Sequence, residues 1–241
     1  MRSLNGLAAL LVVSVVAMAA KSVSADVVYD AVADFDSGAN PNGPWSYGWR
    51  TTADSTAFTP FLTHGQPPSC PSGIEGWSDD PYGLVAKNMT DTTIIYGYYN
   101  NVVLPPGTMA MHPGGNPGAV TGAVLRWTAP VSGLCSIQAN FVGSDTQGTT
   151  TDVHVVYMGS SLFSDTISGY LDAKAFSGST NVIAGNTIDF FLGDGGNYII
   201  SDSTRLAATI TLVPEPSTFV LLGVGTIILF AYVWRRRRHT A

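Results

Sequence analysis

The chain has 241 residues, 45% of them hydrophobic and only 12% charged, with a formal net charge of −6. That apolar content excludes an intrinsically disordered chain. The acidic balance argues against nucleic acid and anionic lipid surfaces as partners.

Met1-Arg2 is followed by an apolar stretch from Leu7 to Ala20 and then by Val23-Ser24-Ala25. A charged start, an apolar run and a small-x-small site read as a secretory signal peptide over residues 1–25. Cleavage is expected after Ala25, so that Asp26 begins the mature chain. An uncleaved anchor is the alternative, kept open by Lys21. Export places the body of the chain outside the cytoplasm, and 26–212 has the size of one domain. All 17 acidic residues lie within 26–216, against five basic ones: Arg50, Lys87, Arg126, Lys174 and Arg205. The formal charge of that segment is therefore −12, compatible with neutral glycans, cations or simple solubility as its reason.

The run Trp45-Ser46-Tyr47-Gly48-Trp49 places Trp45, Tyr47 and Trp49 on one face if extended. Exposed aromatic faces stack on sugars, but such residues more commonly pack in sandwich cores, which is the preferred reading here. Trp77 stands in a loop-like setting, Gly76-Trp77-Ser78-Asp79-Asp80, where exposure is expected more than for the other three. Cys70 and Cys135 form a disulfide candidate in an oxidising compartment. Two separate thiols are equally open, because sequence does not show whether their Cα atoms approach. Asn88-Met89-Thr90 fits an acceptor sequon and is read as accidental.

Glycine, proline and many Ser, Thr and Asn residues interrupt the exported part at short intervals, and apolar residues alternate. Ile137, Ala139 and Phe141 share a face within 136–142. Val153, Val155 and Tyr157 do so within 152–157. Ile188, Phe190 and Leu192 share one within 187–192, and Leu206, Ala208, Ile210 and Leu212 within 206–212. Period 2 marks half-buried strands. Residues 27–32, 92–100, 102–104 and 120–127 are further strand candidates, and 145–150 and 193–197 are the expected open loops. The fold class expected is all-β, an antiparallel β-sandwich of jelly-roll-like type, with a C-terminal transmembrane helix.

Asp145, Asp152 and Asp194 offer oxygen ligands, with Asn197 and Asp202 nearby in sequence. A structural Ca²⁺ is the weak candidate cofactor, with surface solvation as the alternative. Catalysis is not expected. None of the four histidines, His64, His112, His154 and His239, sits in a metal-binding pair motif. No nucleophile elbow, P-loop or dinucleotide fingerprint is present. Glu75 is the only glutamate apart from Glu215, which leaves no evident pair of acids for glycoside hydrolysis.

The C-terminus joins three parts. Val213-Pro214-Glu215-Pro216-Ser217-Thr218 is followed by an uncharged run from Phe219 to Trp234, then by Arg235, Arg236, Arg237 and Arg238. Sixteen helical residues rise about 24 Å, short of a hydrocarbon core of about 30 Å, with the deficit covered by Thr218, Tyr232, Trp234 and snorkelling arginines. A transmembrane helix over 218–234 with a cytoplasmic arginine stop is expected. Pro214 and Pro216 fix φ and remove donors, so that stretch is expected to join neither strand nor helix.

This tripartite end resembles the PEP-CTERM sorting signal of exported bacterial proteins, with Pro214, Glu215 and Pro216 matching its motif. The resemblance spans residues 213–238. It implies recognition by an exosortase, a membrane-embedded cysteine transpeptidase, from an inner-membrane-anchored precursor. The body is then released or attached at the cell surface or extracellular matrix. Residues 40–49, 125–130, 151–155 and 185–190 also resemble the β-sandwich module found in many such proteins, which implies fold and compartment but no activity. The expected function is an exported surface or matrix protein whose sandwich binds polysaccharide. The alternatives are a structural protein binding other surface proteins and, third, an enzyme acting on glycans.

Overall fold

The computed structural model describes residues 25–68, 70–116, 119–214 and 218–239. Residues Val27–Leu212 form one compact unit, and the chain from Val213 onward belongs to a second. The signal peptide expected at 1–25 lies outside the described residues except for Ala25, as do Glu215 and Pro216.

Sixteen strands succeed one another among the described residues. They are β1 (Val27–Asp30), β2 (Trp45–Arg50), β3 (Thr59–Pro60), β4 (Thr63–Gly65), β5 (Ile74–Asp79), β6 (Gly83–Asn88), β7 (Ile94–Tyr96) and β8 (Val102–Leu104), then β9 (Met109–Asn116), β10 (Ala119–Thr128), β11 (Gly133–Gly143), β12 (Thr150–Tyr157), β13 (Ser160–Ser168), β14 (Ala173–Val182), β15 (Thr187–Leu192) and β16 (Thr204–Pro214). One sheet runs β3-β2-β10-β15-β12-β13, antiparallel throughout. The other runs β4-β5-β6-β9-β16-β11-β14. The first residues of β16 pair with β9, and its later ones with β1, ending at Val27↔Leu212. The β9–β10 hairpin joins the two sheets.

The core lies between these sheets. Trp45, Tyr47, Leu125, Trp127 and Phe190 from the first pack with Met109, Ile137, Phe141, Leu206 and Ile210 from the second. Each large side chain buried this way contributes about 1.5–3 kcal/mol. On β11 the expected alternation holds, with Ile137, Ala139 and Phe141 buried and Gln138 and Asn140 exposed. β15 departs from it, because Asp189 and Phe191 on its other face are buried too. Arg50 Nη1 lies 2.6 Å from Asp189 Oδ2, and Arg126 grips the same carboxylate at 2.8 and 2.9 Å. Two guanidinium groups around one carboxylate keep this buried charge paired, as low-dielectric burial demands.

The strand expected over 92–100 is only Ile94–Tyr96, because Gly97 turns the chain at φ 90. Pro214, expected outside any strand, is the last residue of β16. A strand end tolerates proline, whose missing donor is not needed there.

The C-terminal segment forms α1 (Thr218–His239), 22 residues that continue through the arginines. Arg238 lies over the Trp234 ring, 4.2 Å from its centroid. A transmembrane helix is expected from the sequence over 218–234; no helix among the described residues is long and apolar enough to cross a membrane.

Candidate functional site

The second sheet is buried on both faces over β5, β6 and β9. On β6, Val85 joins the main core, whereas Leu84 and Ala86 turn to a second apolar cluster with Cys70, Ile74, Leu104 and Ala110. On β9, Met109 and Met111 face the core and Ala110 faces away. Strands β7 and β8 pair as a separate hairpin, whose Ile94, Tyr96 and Leu104 pack in this second cluster.

Two buried amides hold the hairpin. Asn88, at the end of β6 and fully buried, donates to the carbonyls of Thr92 at 2.8 Å and Leu104 at 2.9 Å. The sequon asparagine is therefore a structural staple. At the other end Asn101 donates to Asp145 Oδ2 at 2.6 Å, while Val103 N–H and Thr146 N–H bond to Ser144 and Asn101 carbonyls. Between β7 and β8 the turn presents Tyr98 and Tyr99, 91% and 67% exposed, edge to face with ring centroids 4.7 Å apart.

Behind Gly97 of this turn lies a cavity of about 310 Å³, lined among others by Cys70, Ser78, Asp80, Tyr96, His112 and Ser203. The backbone fits closely here: a Cβ on Gly83, already at φ 109, would stand 2.6 Å from the His112 carbonyl. Burial pushes the Cys70 thiol up to about 11, and burial also raises the Tyr96 phenol, whose hydroxyl bonds the Cys70 sulfur. Both are protonated at neutral pH, so the thiol is no nucleophile. Burial lowers the His112 imidazole, opposed by the Pro113 carbonyl and the field of Asp145, so the ring is neutral.

The sequence-derived aromatics are elsewhere. Trp45 and Tyr47 are fully buried, and Trp77, for which exposure was expected, is 5% exposed. Its Nε1 donates to the Asp36 carbonyl at 2.8 Å, and its ring stacks on Tyr47. The Gly-Trp-Ser-Asp segment is strand β5 rather than a loop, which turns Trp77 inward. Trp49 is half-buried and stacks on Tyr82 with centroids 4.3 Å apart. Trp45, Tyr47 and Trp77 are not free to stack on a sugar, and one ring face of Trp49 is taken by Tyr82.

The disulfide candidate is corrected as well: Cys70 and Cys135 are free thiols, buried in the second cluster and the main core respectively. The candidate metal ligands are taken up by protein donors. Asp145 accepts from Asn101 and from Gln147 N–H at 2.9 Å. Asp152 accepts from Gly195 N–H and pairs with His154 Nε2, each at 2.9 Å. Asp194 accepts from Tyr198 N–H at 3.1 Å and Gly196 N–H at 3.3 Å. Asn197 meets Thr150, and Asp202 lies 3.5 Å from the same hydroxyl. No group of three His, Cys, Asp or Glu side chains placed to hold a metal ion occurs among the described residues.

Tyr98, Tyr99 and His112 were missed in the sequence. The signal was Tyr96-Gly97-Tyr98-Tyr99-Asn100-Asn101, aromatics set among turn formers, where no strand face is available to bury them.

No curated protein matches the chain. Among solved structures it is similar to CBM51 from a Clostridium perfringens GH95 protein in complex with methyl-galactose, at 16% identity and TM-score 0.35, over 54% of this chain and 88% of that one. A family 35 carbohydrate binding module from Clostridium thermocellum is similar at 9% identity and TM-score 0.30, over 78% and 98%. The K1 cleaved adhesin domain of Lys-gingipain from Porphyromonas gingivalis is similar at 12% identity and TM-score 0.32, over 61% and 95%. Residues 212–238 match the family model of the PEP-CTERM protein-sorting motif, and from the last residues of β16 through α1 the chain carries that motif.

Proposed function

We propose that this is an exported protein, sorted by an exosortase through residues 212–238, whose sandwich binds neutral polysaccharide at the cell surface or in the extracellular matrix. The sandwich is read as jelly-roll-like, and residues 1–25 as the signal peptide that starts export. The observation that carries the binding reading is the pair Tyr98–Tyr99, exposed to water on a turn that buried amides hold in place. A large aromatic left in solvent on a fixed turn contributes nothing to the core and is suited to stacking on an apolar ring face. The −12 charge of the exported segment favours an uncharged partner. Binding rather than catalysis fits a cavity whose thiol and phenol are held protonated.

A second reading, a partner of other surface proteins, is favoured by Ile95 and Ile200. They are 56% and 65% exposed, on the two segments that supply Tyr96 and Ile199 to the cavity. A glycan array that includes the producing cell's own polysaccharide separates the two. Retention on a neutral glycan supports the first reading, and retention on none supports the second. C-terminal mass spectrometry of the mature protein tests sorting: loss of Arg235–Arg238 only in cells that hold the exosortase is expected, and an intact tail there contradicts it.

A further inference from the structure

Three of the residues that line the cavity behind the Tyr98–Tyr99 turn carry neutral hydrogen-bonding groups. One is on His112. Its Nδ1 lies 2.7 Å from the Pro113 carbonyl. A carbonyl only accepts, so Nδ1 carries the proton and Nε2 keeps its lone pair as the ring's acceptor. The other two are the hydroxyls of Ser78 and Ser203, residues that are 5% exposed and line the same cavity. Asp80, also in the lining, adds a carboxylate on the exposed side. One neutral acceptor, two hydroxyls that both donate and accept, and one carboxylate form a set suited to a hydroxyl-rich, uncharged molecule.

Size narrows the ligand further. A volume of about 310 Å³ is at the lower limit for small-molecule sites, which run from roughly 300 to 1,000 Å³. A cavity this small admits one ring and not a run of linked rings. We propose that it takes the end unit of a sugar chain, with His112 Nε2 accepting a proton from one of that unit's hydroxyls, while Tyr98 and Tyr99 contact the chain outside. This rests on the polysaccharide reading and adds that chain ends, not chain interiors, are selected.

Protonation of His112 would replace the acceptor by a donor, so binding weakens as the pH falls below the ring's lowered range. The charged and titratable groups around the ring are Asp145, whose field favours protonation, and Asp80, Cys70 and Tyr96 in the cavity wall.

The test uses the full-length protein with ¹⁵N-labelled histidine and, as probes, the methyl glycosides of glucose, galactose, mannose and N-acetylglucosamine. At least one glycoside is expected to shift the His112 Nε2 resonance and to displace the producing cell's polysaccharide. His112→Phe should weaken that glycoside about tenfold, the loss of one hydrogen bond, and His112→Gln, which keeps an acceptor, should recover part of it. If the polysaccharide is retained but no glycoside moves the ring or competes, end-unit recognition is wrong and the wider reading stands. If the wild-type protein retains neither, both fall. A glycoside that binds equally well to His112→Phe with an unchanged pH profile removes His112 from the site.

Discussion

Asn101 donates through Nδ2 to Asp145 Oδ2 at 2.6 Å, and both residues are buried. This pair ties the exposed Tyr98–Tyr99 turn to the chain leaving β11. Tyr99 N–H lies 3.2 Å from Asn101 Oδ1, so the anchor reaches the binding residues themselves. The same aspartate, one of the oxygen ligands considered from the sequence, holds the amide that anchors the candidate site.

Asp145→Ala should therefore leave the Asn101 amide buried without its acceptor, at about 1–3 kcal/mol. Thermal melting is expected to drop, and amide exchange over 97–101 to rise. Asp145→Asn, which keeps an acceptor oxygen, should lose less. Equal melting of the alanine variant and the parent protein would show that the anchor holds nothing.

The carboxylate of Asp189 serves Arg50 and Arg126 together, with side chains 3%, 1% and 16% exposed. Asp189→Ala removes the one negative charge and leaves two guanidinium groups beside each other. A loss of about 3–5 kcal/mol is expected, as for other buried pairs stripped of one partner. Urea unfolding measures it. A loss below about 1 kcal/mol would mean that water enters the outer face of β2, β10 and β15 and carries the charges.

Asp202 is fully buried, and its Oδ2 has no partner among the described residues. Burial first, then the charges of Asp194 and Asp145, push its carboxyl up to about 8. The folded state then keeps a proton that the unfolded chain gives up near pH 4. Stability is expected to fall as the pH rises from about 4 to about 8, by up to roughly 1.4 kcal/mol per pH unit, and to change no further above that. Asp202→Asn should flatten this slope relative to the parent protein. Parallel pH–stability curves for the two would show that Asp202 ionises normally.

The strands that were legible are those with one face in the core and one in water. On β11 the run Ile137, Ala139, Phe141 repeats every second residue, and on β16 Leu206, Ala208, Ile210 does the same. β5 and β6 escaped because the second sheet is covered on both sides there, which puts Ile74 and Leu84 under the β7–β8 hairpin and removes the alternation. β13 and β14 escaped for the opposite reason. Ala173, Ala175, Ser177 and Ser179 give the exposed face of β14 small residues, and its inner face holds Gly178 and Thr180. Such a strand carries little hydrophobic contrast.

The sorting motif was readable because it is a linear device: order and composition define it without tertiary contacts. The candidate site is not linear. Asp80, Tyr96, His112 and Ser203 come together only because β6 pairs with β9 and the β7–β8 hairpin folds over both. The tryptophans drew attention in sequence by their chemistry, yet three of them are spent on the main core. The exposed tyrosines were overlooked because the segment was read as one continuous strand.

Polysaccharide is expected to be held at the Tyr98–Tyr99 turn. Affinity electrophoresis of the exported protein, through gels with and without the producing cell's polysaccharide, tests it most directly. The double substitution Tyr98→Ala and Tyr99→Ala touches only exposed side chains and should leave melting unchanged. The parent protein should be retarded, and the variant should bind at least about tenfold more weakly, a loss of about 1.4 kcal/mol. Equal retardation of the two would contradict it.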